Sequence, residues 1–248
     1  MYRILKKNKQ LKHRSATSPK LIQRPKAVIA IRPNQVYSWD ITYLLSSIRG
    51  RFFYLYMYVD IYSRKIVGYE VYTEESSNHA ANLLEATCVQ EKIKKNELIL
   101  HSDNGSPMKG ATMLATLQRL GVIPSFSRPG VSDDNPYSEA LFKTLKYNPK
   151  YPLKPFESLE EARRWVDEFV QWYNYEHLHS GIKFVTPEQR HTGQDDMILK
   201  NRAEVYTKAK ERMPQRFSNG TRNWKKDYEV LLNPEKGKSL TKEFKAVV

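Results

Sequence analysis

The stretch that decides the fold is "LILHSDNGS", residues 98–106, in which an apolar run leads directly into a carboxylate and a turn. The apolar part predicts a short buried strand, and Asn104-Gly105 predicts the turn that ends it. Asp103 then lies at the carboxyl end of a core strand, where open α/β sheets bind ligands. Taken alone, the pattern also describes a turn aspartate that hydrogen-bonds its own backbone, so other carboxylates must decide between the two interpretations.

Three strands are predicted before this stretch, namely "VYSWDITYL" at 36–44, "RFFYLYMYVD" at 51–60 and "RKIVGYEVY" at 64–72. Both faces of the second strand are apolar or aromatic, which predicts a sheet that is covered on both sides. The connections between the three strands are short, and they therefore predict an antiparallel meander.

Helices and strands alternate in the rest of the chain. We predict helices at 78–94, at 107–120 ending at Gly121, from Pro136, from a Ser158–Glu161 capping box to about 176, and at 195–212, with strands at 97–102 and 122–127. The run "YEVLL" near the end predicts a small additional sheet. The resulting fold class is α/β, with a five-stranded mixed sheet flanked by helices. Several folds satisfy this pattern, and the RNase H-like fold is one that has this order.

The formal net charge of +14 is concentrated at the two ends of the chain. Ten basic residues and no acidic residue precede Asp40, and residues 200–248 hold thirteen basic and six acidic residues. Basic arms on a slightly acidic core indicate a polyanionic partner, of which nucleic acid is the commonest. A membrane partner is not expected, because the first basic run lacks the apolar face of an interfacial helix.

One cysteine, Cys88, excludes a disulfide within the chain, and its helical pattern predicts a buried thiol. The longest apolar and aromatic run, "FFYLYMYV", is too short to cross a bilayer, and no signal peptide is recognisable. We therefore expect a cytoplasmic protein.

Two further carboxylates stand out beside Asp103. Asp40 interrupts an apolar strand, where a charge is costly unless it is paired or bound to a metal; the alternative is an aspartate at a sheet edge that faces water. Glu139 shares one helix face with Lys143 and Lys146, and the alternative there is a solvated Glu–Lys pair. Three neighbouring carboxylates would together suit paired Mg²⁺ or Mn²⁺ ions acting on a phosphodiester.

The sequence resembles the DDE transposases and retroviral-type integrases, and most closely the B-frame product of bacterial insertion sequences that encode two overlapping frames. The resemblance rests on "WDITYL", "YLYMYVDIYSRKIVGYEV", "HSDNGS", "SFSRPGVSDDNPYSEALFKTLKYNPKYP", "WYNYEHLHSGIKFVTPEQRHTG" and "RNWKKDYEVLLNPEK". These motifs cover about 36–236. The 35 residues between Asp103 and Glu139 match the spacing typical of that family.

The resemblance implies an RNase H-like core in which Asp40, Asp103 and Glu139 bind two divalent metal ions, Mg²⁺ or Mn²⁺. It implies DNA contacts from Lys143 and Lys146, and more weakly from Tyr137 and Asn135. The reaction implied is cleavage at the 3′ end of the element followed by strand transfer into target DNA. The partners implied are the element ends, the target DNA and further copies of the chain on that DNA, and the A-frame product is a candidate. A bacterial, nucleoid-associated location follows.

Three parts are expected along the chain: a basic arm at 1–34, the RNase H-like core at 35–192, and a C-terminal helix with a small basic segment at 193–248. "MYRILKKN" resembles the tail of a helix-turn-helix, so the source of element-end recognition stays open. Two alternatives also stay open. One is a nuclease of the same fold without strand transfer, and the other is a truncated, DNA-binding remnant without activity.

Overall fold

The computed structural model describes residues 2–8, 27–128 and 134–234, and its centre is a five-stranded sheet in the order β4-β3-β2-β5-β6. The strands of the described residues are β1 (Val28–Ala30), β2 (Val36–Leu45), β3 (Phe52–Asp60), β4 (Ile66–Tyr72), β5 (Ile99–Ser102), β6 (Ile123–Phe126) and β7 (Val230–Leu232). The helices are α1 (Tyr2–Lys7), α2 (Ser77–Gln90), α3 (Ser106–Lys109), α4 (Ala111–Leu120), α5 (Pro136–Lys146), α6 (Leu159–Tyr175), α7 (Pro187–His191) and α8 (Asp195–Arg212).

The strand directions confirm the predicted mixed sheet. β2, β3 and β4 pair antiparallel as a meander, whereas β5 pairs parallel to β2 and β6 pairs parallel to β5. A parallel neighbour needs a crossover connection, which α2 supplies between β4 and β5. The carboxyl end of β5 therefore lies beside the middle of β2.

Both faces of the sheet are covered, as the apolar and aromatic faces of β3 predict. On one face α5 and α6 pack against Leu55, Met57 and Val59. On the other face α2 and α4 pack against an aromatic layer that includes Tyr56 and Tyr58. The helical pattern around Cys88 also agrees with its burial in this second layer.

Two local predictions differ in detail from the structure. The helix predicted at 107–120 is two helices, because Gly110 is extended (ψ 144°) and lies so close to the Ser77 side chain that a Cβ would clash. The Ser158 hydroxyl accepts the Glu161 N–H (3.1 Å), but the Glu161 carboxylate accepts the Glu157 N–H instead of the Ser158 N–H. A reciprocal capping box occurs at Thr186 and Gln189 instead, where it begins α7.

Two short strands that are far apart in the chain meet on the core. β1 pairs antiparallel with β7, and the pair packs on Val36, Ile61 and Tyr62. Segments that we assigned to the N-terminal arm and the C-terminal part thus form one small sheet, because each provides a short apolar strand that cannot be buried alone. The remainder of the basic arm at 9–26 and the tail from 235 lie outside the described residues. None of the helices in the described ranges combines the length and hydrophobicity that a membrane span requires.

Candidate active site

Asp40 and Asp103 come directly after the last paired residues of two neighbouring parallel strands. The β2–β5 register runs from Val36–Ile99 to Trp39–Ser102, and each aspartate is the next residue in its chain segment. Neighbouring strands lie about 4.8 Å apart, which brings two carboxylates together at the carboxyl end of β5. β2 is the central strand of the sheet, so the alternative in which Asp40 lies on a sheet edge is wrong.

Helix α5 is fastened to β2 just below Asp40. The hydroxyl of Ser38, which shares the Asp40 face of the strand, donates to the Asn135 side-chain oxygen and lies 2.7 Å from the Ser138 hydroxyl. The Asn135 amide donates to the Trp39 carbonyl at 3.3 Å. Because Glu139 follows Ser138 directly, this attachment brings the third predicted carboxylate toward Asp40.

The negative charges of Asp103 and Glu139 both act on Asp40. Burial, followed by the charges of Asp103, Glu139 and Glu75, raises the pKa of Asp40 to about 7. The Ile41 N–H, which donates to the Asp40 carboxylate at 2.8 Å, opposes the shift. Sequence analysis did not single out Glu75, since the loop before α2 contains nothing that marks it as close to Asp40.

Asp103 is held by the strand on its other side. The Ser127 hydroxyl, directly after β6, donates to the Asp103 carboxylate at 2.7 Å, and the Asn104 amide donates to the Ser127 carbonyl. His101 is buried between the Ser125 hydroxyl (2.9 Å) and the Asp134 carbonyl (2.8 Å). Asn104 and His101 thus support the aspartate from within the fold.

The chemistry of these donors fits a hard divalent cation. The described residues contain no group of three His, Cys, Asp or Glu side chains arranged to hold a metal ion. Mg²⁺ is nevertheless usually bound by one or two carboxylates together with water and substrate phosphates, and Asp40 and Asp103 supply such a pair. A cation between them would offset the burial and mutual repulsion that raise the pKa of Asp40.

The four residues expected to contact DNA fall into two groups. Lys143 and Lys146 are exposed on α5, opposite its buried leucines. Asn135 is fully buried and its side chain is bonded within the fold, so its expected DNA contact is replaced by a role in fixing α5. Tyr137 is half-buried, and its hydroxyl donates to the Leu231 carbonyl at 2.6 Å.

Asn135→Ala tests this reassignment. The substitution removes one of the two side-chain partners of the Ser38 hydroxyl and the amide that donates to the Trp39 carbonyl. We expect the free energy of unfolding to fall by about 1–3 kcal/mol, measured by urea denaturation. Duplex DNA affinity of the folded variant, measured by fluorescence anisotropy, is expected to stay unchanged. Weaker DNA binding without any loss of stability would contradict the reassignment.

The sequence is similar to those of known proteins. Two family models described as "Integrase core domain" match residues 30–132 and 120–187. The chain is 30% identical over 160 residues to the transposase for insertion sequence element IS904 of Lactococcus lactis, covering 64% of this chain and 62% of that protein. It is 29% identical over 172 residues to the putative transposase InsK for insertion sequence element IS150 of Escherichia coli, covering 69% and 58%. The chain thus matches less than two thirds of the length of either relative.

The fold is similar to that of a chain in the cryo-EM structure of the simian T-cell lymphotropic virus intasome in complex with PP2A regulatory subunit B56 gamma. The TM-score is 0.53 at 18% identity, covering 70% of this chain and 60% of that chain. The mixed sheet and its flanking helices therefore have the RNase H-like fold. Through residues 30–187, more than half of its length, the chain belongs to the integrase core domain family.

Proposed function

We propose that this chain is a DNA transposase of an insertion sequence, and that it cleaves the 3′ ends of the element and transfers them into target DNA. The observation that carries the proposal is the β2–β5 register, whose last pair directly precedes Asp40 and Asp103, together with the attachment of α5 to β2 one residue before Glu139. The integrase core domain family and the transposase relatives support this reaction class.

In the proposed mechanism, Asp40, Asp103 and Glu139 hold two divalent ions. When bound, such ions supply activation of the attacking oxygen and stabilisation of the leaving oxygen in an in-line displacement. Ser127 orients the Asp103 carboxylate by its hydrogen bond, and the Ser38 attachment positions α5. Lys143 and Lys146 are exposed one and two turns beyond Glu139, where they would contact the backbone phosphates of the bound DNA end.

Two displacements make up the reaction. In the first, water attacks the phosphorus at the element boundary, and the 3′ oxygen of the element leaves as a hydroxyl. In the second, this hydroxyl attacks a phosphodiester of the target, and the 3′ oxygen of the target strand leaves. No covalent link between protein and DNA is required. In the second step one phosphodiester bond forms as another breaks, so their number is conserved.

A product analysis tests the proposal. Purified protein is incubated with end-labelled duplexes carrying the element ends, an unlabelled target plasmid, and Mg²⁺ or Mn²⁺. We expect both shortened and target-joined strands. Cut products alone would indicate the nuclease alternative, and a mobility shift without cutting would indicate a DNA-binding remnant; either result would overturn the proposed strand transfer.

Salt dependence tests the proposed DNA contacts. Because Lys or Arg contacts to phosphate release counterions, log affinity for duplex DNA should fall linearly with log salt. Lys143→Gln and Lys146→Gln are each expected to reduce that slope by about 1, measured by fluorescence anisotropy at several salt concentrations. Lys94→Gln is the control, because Lys94 is exposed after α2, on the opposite side of the sheet. Equal slopes for all variants would contradict these two contacts.

The proposed partners follow from the reaction. They are the element ends and target DNA, with several copies of the chain assembled on that DNA. The A-frame product of the same element is a further proposed partner. The proposed location is the bacterial nucleoid in the cytoplasm.

A further inference from the structure

A second feature of α5 is a cavity of about 280 Å³ on the side of the helix that faces α6 and the β3–β4 turn. Its size is near the lower end of the range for small-ligand sites. The residues that shape it are Arg64, Tyr137, Ala140, Leu141, Tyr173 and His179. Glu139 lies on the other side of α5 from the lining residues Tyr137, Ala140 and Leu141, so the cavity and the proposed active site flank the same helix.

Arg64 supplies the charged group of this cavity, and its side chain is half-buried. Its Nη1 is inaccessible to solvent and has no hydrogen-bond partner, and it forms no ion pair within the described ranges. The guanidinium lies 4.2 Å from the centre of the Tyr137 ring. The turn after β3 holds Arg64 at φ 69°, a left-handed conformation that costs a non-glycine residue about 1–2 kcal/mol.

The neighbours of Arg64 do not neutralise it. Burial and the Arg64 charge lower the pKa of His179 to about 4, so this imidazole is neutral. Burial raises the pKa of the Tyr173 hydroxyl, so that group is neutral as well. Burial lowers the pKa of Arg64, and the negative charge of Asp60 opposes this only weakly. A guanidinium nitrogen that is shielded from water and lacks a hydrogen-bond partner is costly, which favours an anion beside Arg64.

The walls of the cavity indicate which anion fits. The planar guanidinium matches phosphate through paired hydrogen bonds, and the rings of Tyr137, Tyr173 and His179 resemble the aromatic surfaces that receive unpaired bases. The net charge of +14 favours a nucleic acid over a basic partner. An acidic peptide could supply a carboxylate, but its acidic side chains would not stack on the aromatic wall.

We propose that this cavity receives an unpaired nucleotide, with its phosphate on the Arg64 guanidinium and its base or sugar against the aromatic and apolar wall. The inference rests on the proposed function, because it assumes that the bound DNA end presents a nucleotide released from its pair. A nucleotide in this cavity would hold the DNA beside α5, the helix that carries Glu139. Arg64 is therefore a binding residue for DNA, separate from the exposed lysines of α5.

Binding without metal tests the site independently of catalysis. The probes are dTMP, inorganic phosphate, and a labelled oligonucleotide in single-stranded and duplex form, measured with the full chain in EDTA by calorimetry and fluorescence anisotropy. We expect Arg64→Met to weaken binding of dTMP and of the single strand by at least about tenfold, while duplex binding changes little. Arg119→Met is the matched control, because Arg119 is exposed on α4 and pairs with Glu85 there.

Thermal unfolding separates a binding role from a structural one. If the guanidinium awaits a ligand, the melting temperature of ligand-free Arg64→Met should equal or exceed that of the parent, because a shielded nitrogen without a hydrogen-bond partner has been removed. A large fall would instead assign Arg64 a structural role and overturn the proposal. Arg64→Lys keeps the charge without the paired hydrogen bonds, so it should bind dTMP several-fold more weakly even if Arg64→Met does not fold.

Other outcomes are equally decisive. Unchanged dTMP and single-strand binding in Arg64→Met would overturn the site. The site would also be overturned if nucleotides do not bind at all and an acidic peptide binds the parent but not Arg64→Met. That result would indicate a protein partner. Strand joining with normal nucleotide binding supports both proposals. Joining without nucleotide binding overturns the cavity proposal alone, and nucleotide binding without joining overturns the proposed function alone.

Discussion

Asp103→Asn is expected to lower the rate of DNA-end cleavage by about 10³-fold or more, and Glu139→Gln is expected to do the same. Each substitution removes one carboxylate charge from the proposed metal site while keeping the shape of the side chain. A metal ion contributes several kcal/mol of charge stabilisation to phosphoryl transfer, and each 1.36 kcal/mol corresponds to about tenfold in rate. The measurement is the initial rate of nicking of an end-labelled duplex, with joining into a target plasmid assayed in parallel.

Two controls make this result specific. Glu204→Gln removes an exposed carboxylate from α8 and should leave the cleavage rate unchanged. Added Mn²⁺ should raise the melting temperature of the parent and of Glu204→Gln, because a ligand that binds only the folded state stabilises it. The two site variants should lose this shift. Full cleavage activity in Asp103→Asn would show that these carboxylates are not the catalytic group.

Arg190→Met is expected to lower the free energy of unfolding by about 3–5 kcal/mol. Arg190 is 2% exposed, and its guanidinium donates to the carbonyls of Tyr62 and Asp227 and to the Asp195 carboxylate. Removing one member of a buried ion pair leaves the other charge poorly compensated. Asp195 is fully buried, and within the described residues its remaining ion pair would be the one with Lys226. Urea denaturation measures the change.

An exposed ion pair is the appropriate comparison. Arg163 pairs with Glu70 at 2.9 Å across a surface that leaves both side chains more than a third exposed. Arg163→Met should therefore cost only about 0–1 kcal/mol. Equal effects of the two substitutions would show that Arg190 does not hold α7, α8 and the segment before β7 onto the core.

Local sequence signals predicted the elements that carry the site. The apolar run before Asp103 and the Asn-Gly after it are sufficient for a strand and a turn, and the structure has β5 and a turn at those positions. Gly121 ends α4 in the left-handed conformation, as its position predicts. Ser158 caps α6 by accepting the Glu161 N–H, as its place just before the helix predicts. These features depend on neighbours within a few residues, so they can be read from sequence alone.

Long-range contacts escaped sequence analysis. Asn135 precedes a helix and was assigned to DNA, but its side chain bonds to residues of β2 almost a hundred positions earlier. Glu75 and Ser127 come close to the aspartates from two different loops. Arg64 is one of many basic residues in the sequence, and nothing near it in the chain shows that it lies half-buried beside α5.

The sequence by itself determined the order of strands and helices, the charge of the arms and the three candidate carboxylates, because each follows from residue type, periodicity and spacing. Only the tertiary structure decided the β2–β5 register, the attachment of α5 through Ser38, and the cavity around Arg64. The physical reason is that strand pairing and burial join residues that are distant in the chain, and their energies depend on contacts that no local pattern specifies.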